Sequence, residues 1–163
     1  MKHGIIILCT FLGAQLCIGQ SMNNTKLERI IESVSDSVEG TTGSWQFMYN
    51  ERLMLLITDE NYNRMRLIMP VHMADQLSTS ELTEALTANF HSALDVKYAI
   101  SNGVMWSAFI HPLSALSEEQ FRDALSQVYR AAETFGTTYS STDLVFPGHA
   151  PEPKTNKKPR KKM

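Results

Sequence analysis

The residues with the means to do chemistry are few. Four histidines lie beyond residue 20: His72, His91, His111 and His149. A zinc site on a helix often takes two imidazoles three or four residues apart, so that both leave one face. No histidine pair here has that spacing. His72 and His111 each fall just past a predicted strand end, where folding could bring them together. No metal site is expected. General acid–base catalysis needs paired carboxylates in a cleft. The candidates are Glu81 with Glu84, and Glu118 and Glu119 with Asp123. Both sets fall in the first turns of predicted helices, where negative charge complements the helix dipole, and capping accounts for them. There is no Gly-x-Ser-x-Gly elbow and no glycine-rich phosphate loop. Asn23-Asn24-Thr25 is a formal glycosylation sequon, of use only in a eukaryotic secretory pathway. The chain therefore reads as a non-enzyme with no cofactor.

The 2 cysteines, Cys9 and Cys17, both sit in an apolar N-terminal run. Lys2 precedes it, residues 4–18 are almost wholly apolar, and Cys17-Ile18-Gly19 places small residues before a cut at Gln20. That order predicts a signal peptide over residues 1–19, and hence a secreted or periplasmic protein. The run of about 15 residues is shorter than the roughly 20 that span a bilayer. No transmembrane segment is expected after cleavage, and neither cysteine follows a lipobox. The mature chain would be free of cysteine, which excludes disulfides, thiol nucleophiles, thiolate zinc and iron–sulfur clusters.

The 163 residues carry a formal net charge of −2, an average that hides a split. Residues 20–149 hold 8 Lys and Arg against 16 Asp and Glu. Residues 151–163 hold Lys154, Lys157, Lys158, Arg160, Lys161 and Lys162 against Glu152 alone. The acidic body excludes a basic nucleic-acid surface, and no specific nucleic-acid partner is expected. Residues 141–163 read as a disordered linker and basic tail. That tail suits contact with anionic surfaces or an acidic partner, or it folds back on the acidic body, or it only solubilises. Any contact it makes should weaken with salt.

The length predicts one domain, over residues 20–140. A first helix over 25–38 carries Leu27, Ile30, Ile31, Val34 and Val38 at helical spacing, with Thr25 to Glu28 as a capping box. Glycines Gly40 and Gly43 end it. Three strands with period-two alternation follow: Trp45, Phe47, Tyr49; Leu53, Leu55, Ile57; and Met65, Leu67, Met69, Val71. Asn50-Glu51 and residues 59–63 make the turns, and Pro70 marks the end of the third strand. Ser78 to Glu81 caps a second helix with the stripe Leu82, Ala85, Leu86, Phe90, Ala93. Asn102-Gly103 joins Val96, Tyr98, Ile100 to Val104, Trp106, Ala108, Ile110 in a hairpin. Ser117 to Gln120 caps a third helix with Phe121, Ala124, Leu125, Val128, Ala132 and Phe135 on one face, stopped by Gly136. From Thr137 order is expected to fade. The fold class is α+β, a twisted antiparallel five-stranded sheet with three helices in the order α-β-β-β-α-β-β-α.

That order resembles the YbjN family, with Trp45 opening the first strand and Leu113-Ser114-Ala115-Leu116-Ser117-Glu118-Glu119-Gln120-Phe121 introducing the last helix. YbjN proteins are themselves similar to the class I chaperones of type III secretion. The resemblance spans residues 25–136. It implies a twisted antiparallel sheet with helices packed on it, non-catalytic protein or peptide binding, and frequent dimers. The export signal and the basic tail are departures from the cytosolic secretion chaperones.

Alternation also predicts a binding face. One side of the sheet collects Trp45, Phe47, Tyr49, Leu53, Leu55, Ile57, Leu67, Met69, Val96, Tyr98, Ile100, Trp106 and Ile110 and would take the helices. The other collects Met48, Met54, Leu56, Ile68, Met105 and Phe109 among polar residues. A solvated face should be polar. Methionines suit varied partners, and contiguous apolar surface marks an interface. These six are the candidate partner-binding residues, for a polypeptide client or a homodimer partner, or under cover by the chain's own termini. The alternative function is a small-molecule or lipid carrier with a cavity between sheet and helices. A hydrolase would need His72 or His111 beside a carboxylate and a serine.

Overall fold

The computed structural model describes residues 21–144. The predicted signal peptide, its cut after Gly19, and the basic residues Lys154, Lys157, Lys158, Arg160, Lys161 and Lys162 lie outside the described residues. The elements are α1 (Asn24–Glu32), β1 (Val38–Thr41), β2 (Ser44–Tyr49), β3 (Arg52–Asp59), β4 (Arg64–Met73), α2 (Thr79–His91), β5 (Lys97–Ser101), β6 (Val104–His111) and α3 (Glu118–Thr134). The class is α+β with three helices and an antiparallel sheet, but the sheet has six strands, not five, in the order β1-β2-β3-β4-β6-β5.

The additional strand is β1. Helix α1 stops at Glu32, where the Ser33 amide reaches back to the carbonyls of the preceding turn, so Val38 belongs to the sheet. Gly40 sits at φ 119°, and a β-carbon there would overlap the Ser44 carbonyl oxygen. Only glycine fits this close approach, and glycine reads as a break rather than a strand in sequence. The cap of α1 also moves: the Asn23 side chain, not Thr25, accepts the Lys26 amide, at 3.0 Å. The two other predicted capping boxes form as expected, Ser78 with Glu81 and Ser117 with Gln120.

Two-residue turns set the sheet faces. Tyr49 pairs with Arg52 across Asn50 and Glu51, both at positive φ, and Ser101 pairs with Val104 across Asn102 and Gly103. Such a turn puts odd-numbered residues of one strand opposite even-numbered residues of the next. Trp45 therefore faces Leu56, Phe47 faces Met54, and Ile100 faces Met105. Further along, Leu67 shares the same side with Leu56 and Phe109. The predicted faces of β3 and β6 are consequently exchanged. Met54, Leu56, Met105 and Phe109 lie beneath the helices. Leu53, Leu55, Ile57, Trp106 and Ile110 point the other way.

Pro70 does not end β4. It pairs with Trp106, and a bulge at Val71 carries the ladder on to His72 opposite Met105 and Met73 opposite Val104. Arg52 donates to the Pro70 carbonyl at 3.1 Å, beyond the stretch where β3 and β4 pair. Prolines are tolerated in sheets at such bulges.

Helices α1 and α3 cover one side of the sheet. The core between them holds Leu27, Ile30 and Ile31 of α1, Phe121, Leu125 and Val128 of α3, and Phe47, Met54, Leu56, Leu67 and Met69 of the sheet. Full burial of each such side chain is worth about 1.5–3 kcal/mol. Two buried hydroxyls tie the layers together: Ser107 donates to the Val128 carbonyl at 2.9 Å and Tyr98 to the Ala131 carbonyl at 2.7 Å. The Leu113–Phe121 segment is structural. Leu113, Leu116 and Phe121 are buried, and Asn63 in the β3–β4 turn receives the Leu113 and Ser114 amides.

Order continues past Thr137. Tyr139 and Ser141 are buried, the Ser92 hydroxyl donates to the Tyr139 carbonyl at 2.7 Å, and Arg130 pairs with Asp143. Tyr139 forms an aromatic cluster with Tyr98 and Phe135, which is why this segment returns to the body.

Candidate functional site

With helices on one side only, the other side of the sheet is open among the described residues. Its centre is apolar. Met48 and Leu53 pair on β2 and β3, Leu55 and Ile68 on β3 and β4, and Ile68 and Ala108 on β4 and β6. Pro70 lies opposite Trp106. Arg66 sits between Ile57 and Ile110. Ile57 is 43% exposed and Ile110 58% exposed. Met48 and Leu53 are likewise exposed, while Leu55, Ile68 and Trp106 are half-buried by their neighbours. The charged groups on this side are Arg64, Arg66 and Lys97 with the carboxylates Glu39 and Asp59, all exposed.

Of the six candidate residues, the structure places two on this face: Met48, exposed, and Ile68, half-buried. Met54 and Leu56 are 0% exposed, and Met105 and Phe109 are buried. Those four are core residues, out of a partner's reach without unfolding. The residues that alternation missed are Leu53, Leu55, Ile57, Trp106 and Ile110. The signal that locates them is turn length: a two-residue turn reverses parity between its strands.

A second apolar patch lies on α2. Ala85 and Ala88 are its buried residues, while Leu86 and Phe90 are exposed, Phe90 at 82%. This corrects the expected stripe, in which both faced the core. Asn89 explains the orientation. Its side chain accepts the Tyr98 amide at 2.7 Å and donates to the Tyr98 carbonyl at 3.1 Å. The helix therefore flanks the sheet edge at β5 and turns Leu86 and Phe90 outward.

The groups with chemical potential are scattered. His72 pairs opposite Met105 and His111 opposite Met65, at the two ends of the β4–β6 ladder. At about 3.3 Å per residue they are roughly 20 Å apart, so they do not meet. His111 stacks on Phe109 and His91 packs edge-on against Phe90. No group of three or more His, Cys, Asp or Glu among the described residues is placed to hold a metal ion. Glu81 serves the α2 cap, and hydrogen bonds from Ser78 hold its carboxyl below the usual range. Glu118 pairs with Arg122 at 2.8 Å, and Asp123 accepts from Gln127 at 2.6 Å.

Surface grooves lie among the described residues. One, of about 400 Å3, lies between α1 and α3. Another, of about 220 Å3, is lined by Asp95, Phe109, Ile110, His111, Gln120 and Asp123. Both have charged rims, whereas the space between sheet and helices is filled by Phe47, Met54, Leu56, Leu67, Phe121 and Val128. No described helix is long and apolar enough to cross a membrane.

No protein-family model matches the chain, and no curated protein does. Solved structures do. The chaperone–effector complex of HopA1 and SchA matches with a TM-score of 0.53 at 12% identity, over 69% of this chain and 94% of the other. The Yersinia pestis type III secretion chaperone SycH, in complex with a stable fragment of YscM2, matches with 0.53 at 15% identity, over 69% and 98%. The complex of ExsC and ExsE matches with 0.54 at 17% identity, over 69% and 92%. The chain thus has a type III secretion chaperone-like fold.

Proposed function

We propose that this chain is a non-catalytic, chaperone-like module that binds an extended stretch of another polypeptide on the open face of its sheet. Met48, Ile57, Ile68, Trp106 and Ile110 would make the contact. The observation that carries this reading is the two-sided apolar sheet: after α1 and α3 have covered one side, Met48, Leu53, Ile57 and Ile110 remain exposed on the other around a half-buried apolar centre. Surfaces of that kind are interaction sites. The similar structures support a polypeptide as occupant, since one is a chaperone with its effector and another a chaperone with a protein fragment. The finer resemblance to YbjN proteins, and export by residues 1–19, belong to this proposal.

The exposed pair Leu86 and Phe90, one helical turn apart on α2, favours a second contact, a seam between two copies of the chain. The carrier reading is less favoured, because large side chains fill the space between sheet and helices.

The test is affinity capture from the native extracellular or periplasmic fraction with residues 20–163 as bait, beside an Ile57→Glu/Ile110→Glu variant. A partner retained by the parent and lost by the folded variant supports the face. Equal retention by both rejects it. Sedimentation of Phe90→Glu tests the seam separately: a dimeric parent and a monomeric variant support it, and an unchanged mass rejects it.

A further inference from the structure

We propose that Met48 and Met73 are oxidation sites through which peroxide turns the open sheet face from apolar to polar. This rests on the sheet-face reading and adds to it a means of releasing the partner. Of the 9 methionines, Met1 and Met163 lie outside the described residues. The others divide sharply. Met22, Met54, Met65, Met69 and Met105 are buried, none more than 4% exposed. Met48 is 43% exposed and Met73 48%.

Register puts both exposed thioethers on the open face. Met48 pairs with Leu53. Met73 pairs with Val104, which alternates with the buried Met105 and so shares its side with Trp106. In unbroken alternation Met73 would fall on the buried side with Met65, Leu67 and Met69. The bulge between Pro70 and His72 shifts the parity of β4, and such bulges re-aim side chains. Met73 thereby comes to lie diagonally from Trp106. Both methionines stand at the end of the strands away from Asp59 and Arg64, in the half of the face that charge leaves apolar.

A thioether is a two-electron reductant. Its sulfur lone pair attacks one oxygen of hydrogen peroxide. The S–O bond forms as the O–O bond breaks, and the proton on the transferred oxygen leaves with the departing hydroxide as water. Sulfur is oxidised to the sulfoxide and peroxide is reduced. Susceptibility follows exposure, and the product is polar. The same change at Met54 or Met69 would disrupt the core, but those sulfurs are shielded beneath the helices. On the face it alters only what the face can bind. Sulfoxide reductases restore the thioether, so the change is reversible.

The experiment treats the full chain with hydrogen peroxide after alkylation of its 2 cysteines, then removes the peroxide. Peptide mapping by mass spectrometry should find Met48 and Met73 oxidised on the order of tenfold faster than the buried methionines, with an unchanged melting curve. Binding of labelled, reduced and carboxymethylated ribonuclease A, followed by anisotropy, should weaken about tenfold, because a polar group is then buried without a partner. The dye ANS, which reports exposed apolar surface, should fluoresce less. Met48→Leu/Met73→Leu should bind polypeptide and dye as the parent does, and should lose neither on oxidation. Buried methionines oxidised as fast as these two, or a leucine variant that loses binding to the same extent, overturns the proposal. So does dye fluorescence, or polypeptide binding where it occurs, that oxidation leaves unchanged. If the untreated parent binds no polypeptide, the sheet-face reading fails by itself, and the mapping and the dye still decide the oxidation sites.

Discussion

Asn89 closes the edge of the sheet by holding both backbone groups of Tyr98, accepting its amide at 2.7 Å and donating to its carbonyl at 3.1 Å. A side-chain amide thus stands where a further strand would pair. Open edges invite pairing with other chains, and proteins block them by such devices. Asn89→Ala should lower stability by about 1–3 kcal/mol, because two backbone groups lose their partners. It should also promote concentration-dependent association. Urea denaturation and sedimentation velocity check both. An unchanged denaturation midpoint would show that the clamp contributes nothing.

Leu56 and Ile57 are adjacent in sequence and opposite in consequence. Leu56 is 0% exposed and packs beneath the helices. Leu56→Ala should cost about 2–5 kcal/mol, as buried leucines do. Ile57 lies on the open face, where Ile57→Ala should change stability by no more than about 0.5 kcal/mol. Paired urea curves give the answer, and a reversed ranking would mean that the faces are assigned the wrong way round.

Tyr98 should make the fold sensitive to alkali. Burial pushes its hydroxyl up to about 12, and that hydroxyl donates to the Ala131 carbonyl. The unfolded side chain titrates near 10. A raised folded value means that the folded state holds the proton longer, so this contribution is complete below about pH 10 and is lost as pH rises through 12. Stability should therefore fall between those values. Tyr98→Phe should shallow the fall while losing about 1 kcal/mol at neutral pH. Part of the slope should survive in that variant, since burial also raises Tyr139 to about 12. Urea midpoints against pH for both proteins make the comparison. Identical slopes would remove Tyr98 from the account.

Much of the architecture is legible in sequence, because period-two alternation, the Asn102-Gly103 turn and the boxes at Ser78 and Ser117 each act locally. The faces are less so. The alternation within β3 is equally clear whether Leu53 or Met54 looks inward, and only the two-residue turn at Asn50-Glu51 decides it. Both central residues adopt positive φ without a glycine; the turn is legible in sequence, but alternation read strand by strand does not carry the parity reversal that a two-residue turn imposes. β1 is hidden for another reason: Gly40 is there because the chain passes close to Ser44, and glycine resembles a terminator. Phe90 looks like a core residue on a helical stripe, but the Asn89 clamp, a tertiary contact, turns it to solvent.

The most direct test of polypeptide binding on the open face uses the two tryptophans as they stand. Trp45 is buried, with its indole N–H held by Glu28 at 3.1 Å, and is shielded from a quencher. Trp106 lies on the open face, half-buried, its indole N–H bonded to the Ser101 carbonyl at 3.2 Å. Acrylamide quenching of residues 20–163 should therefore report Trp106. Reduced, carboxymethylated ribonuclease A, an unfolded chain without tryptophan, supplies the polypeptide. Binding on the face should lower the quenching constant in a saturable way, and Ile57→Glu/Ile110→Glu should abolish the change. Quenching that stays constant at saturating polypeptide would contradict the account.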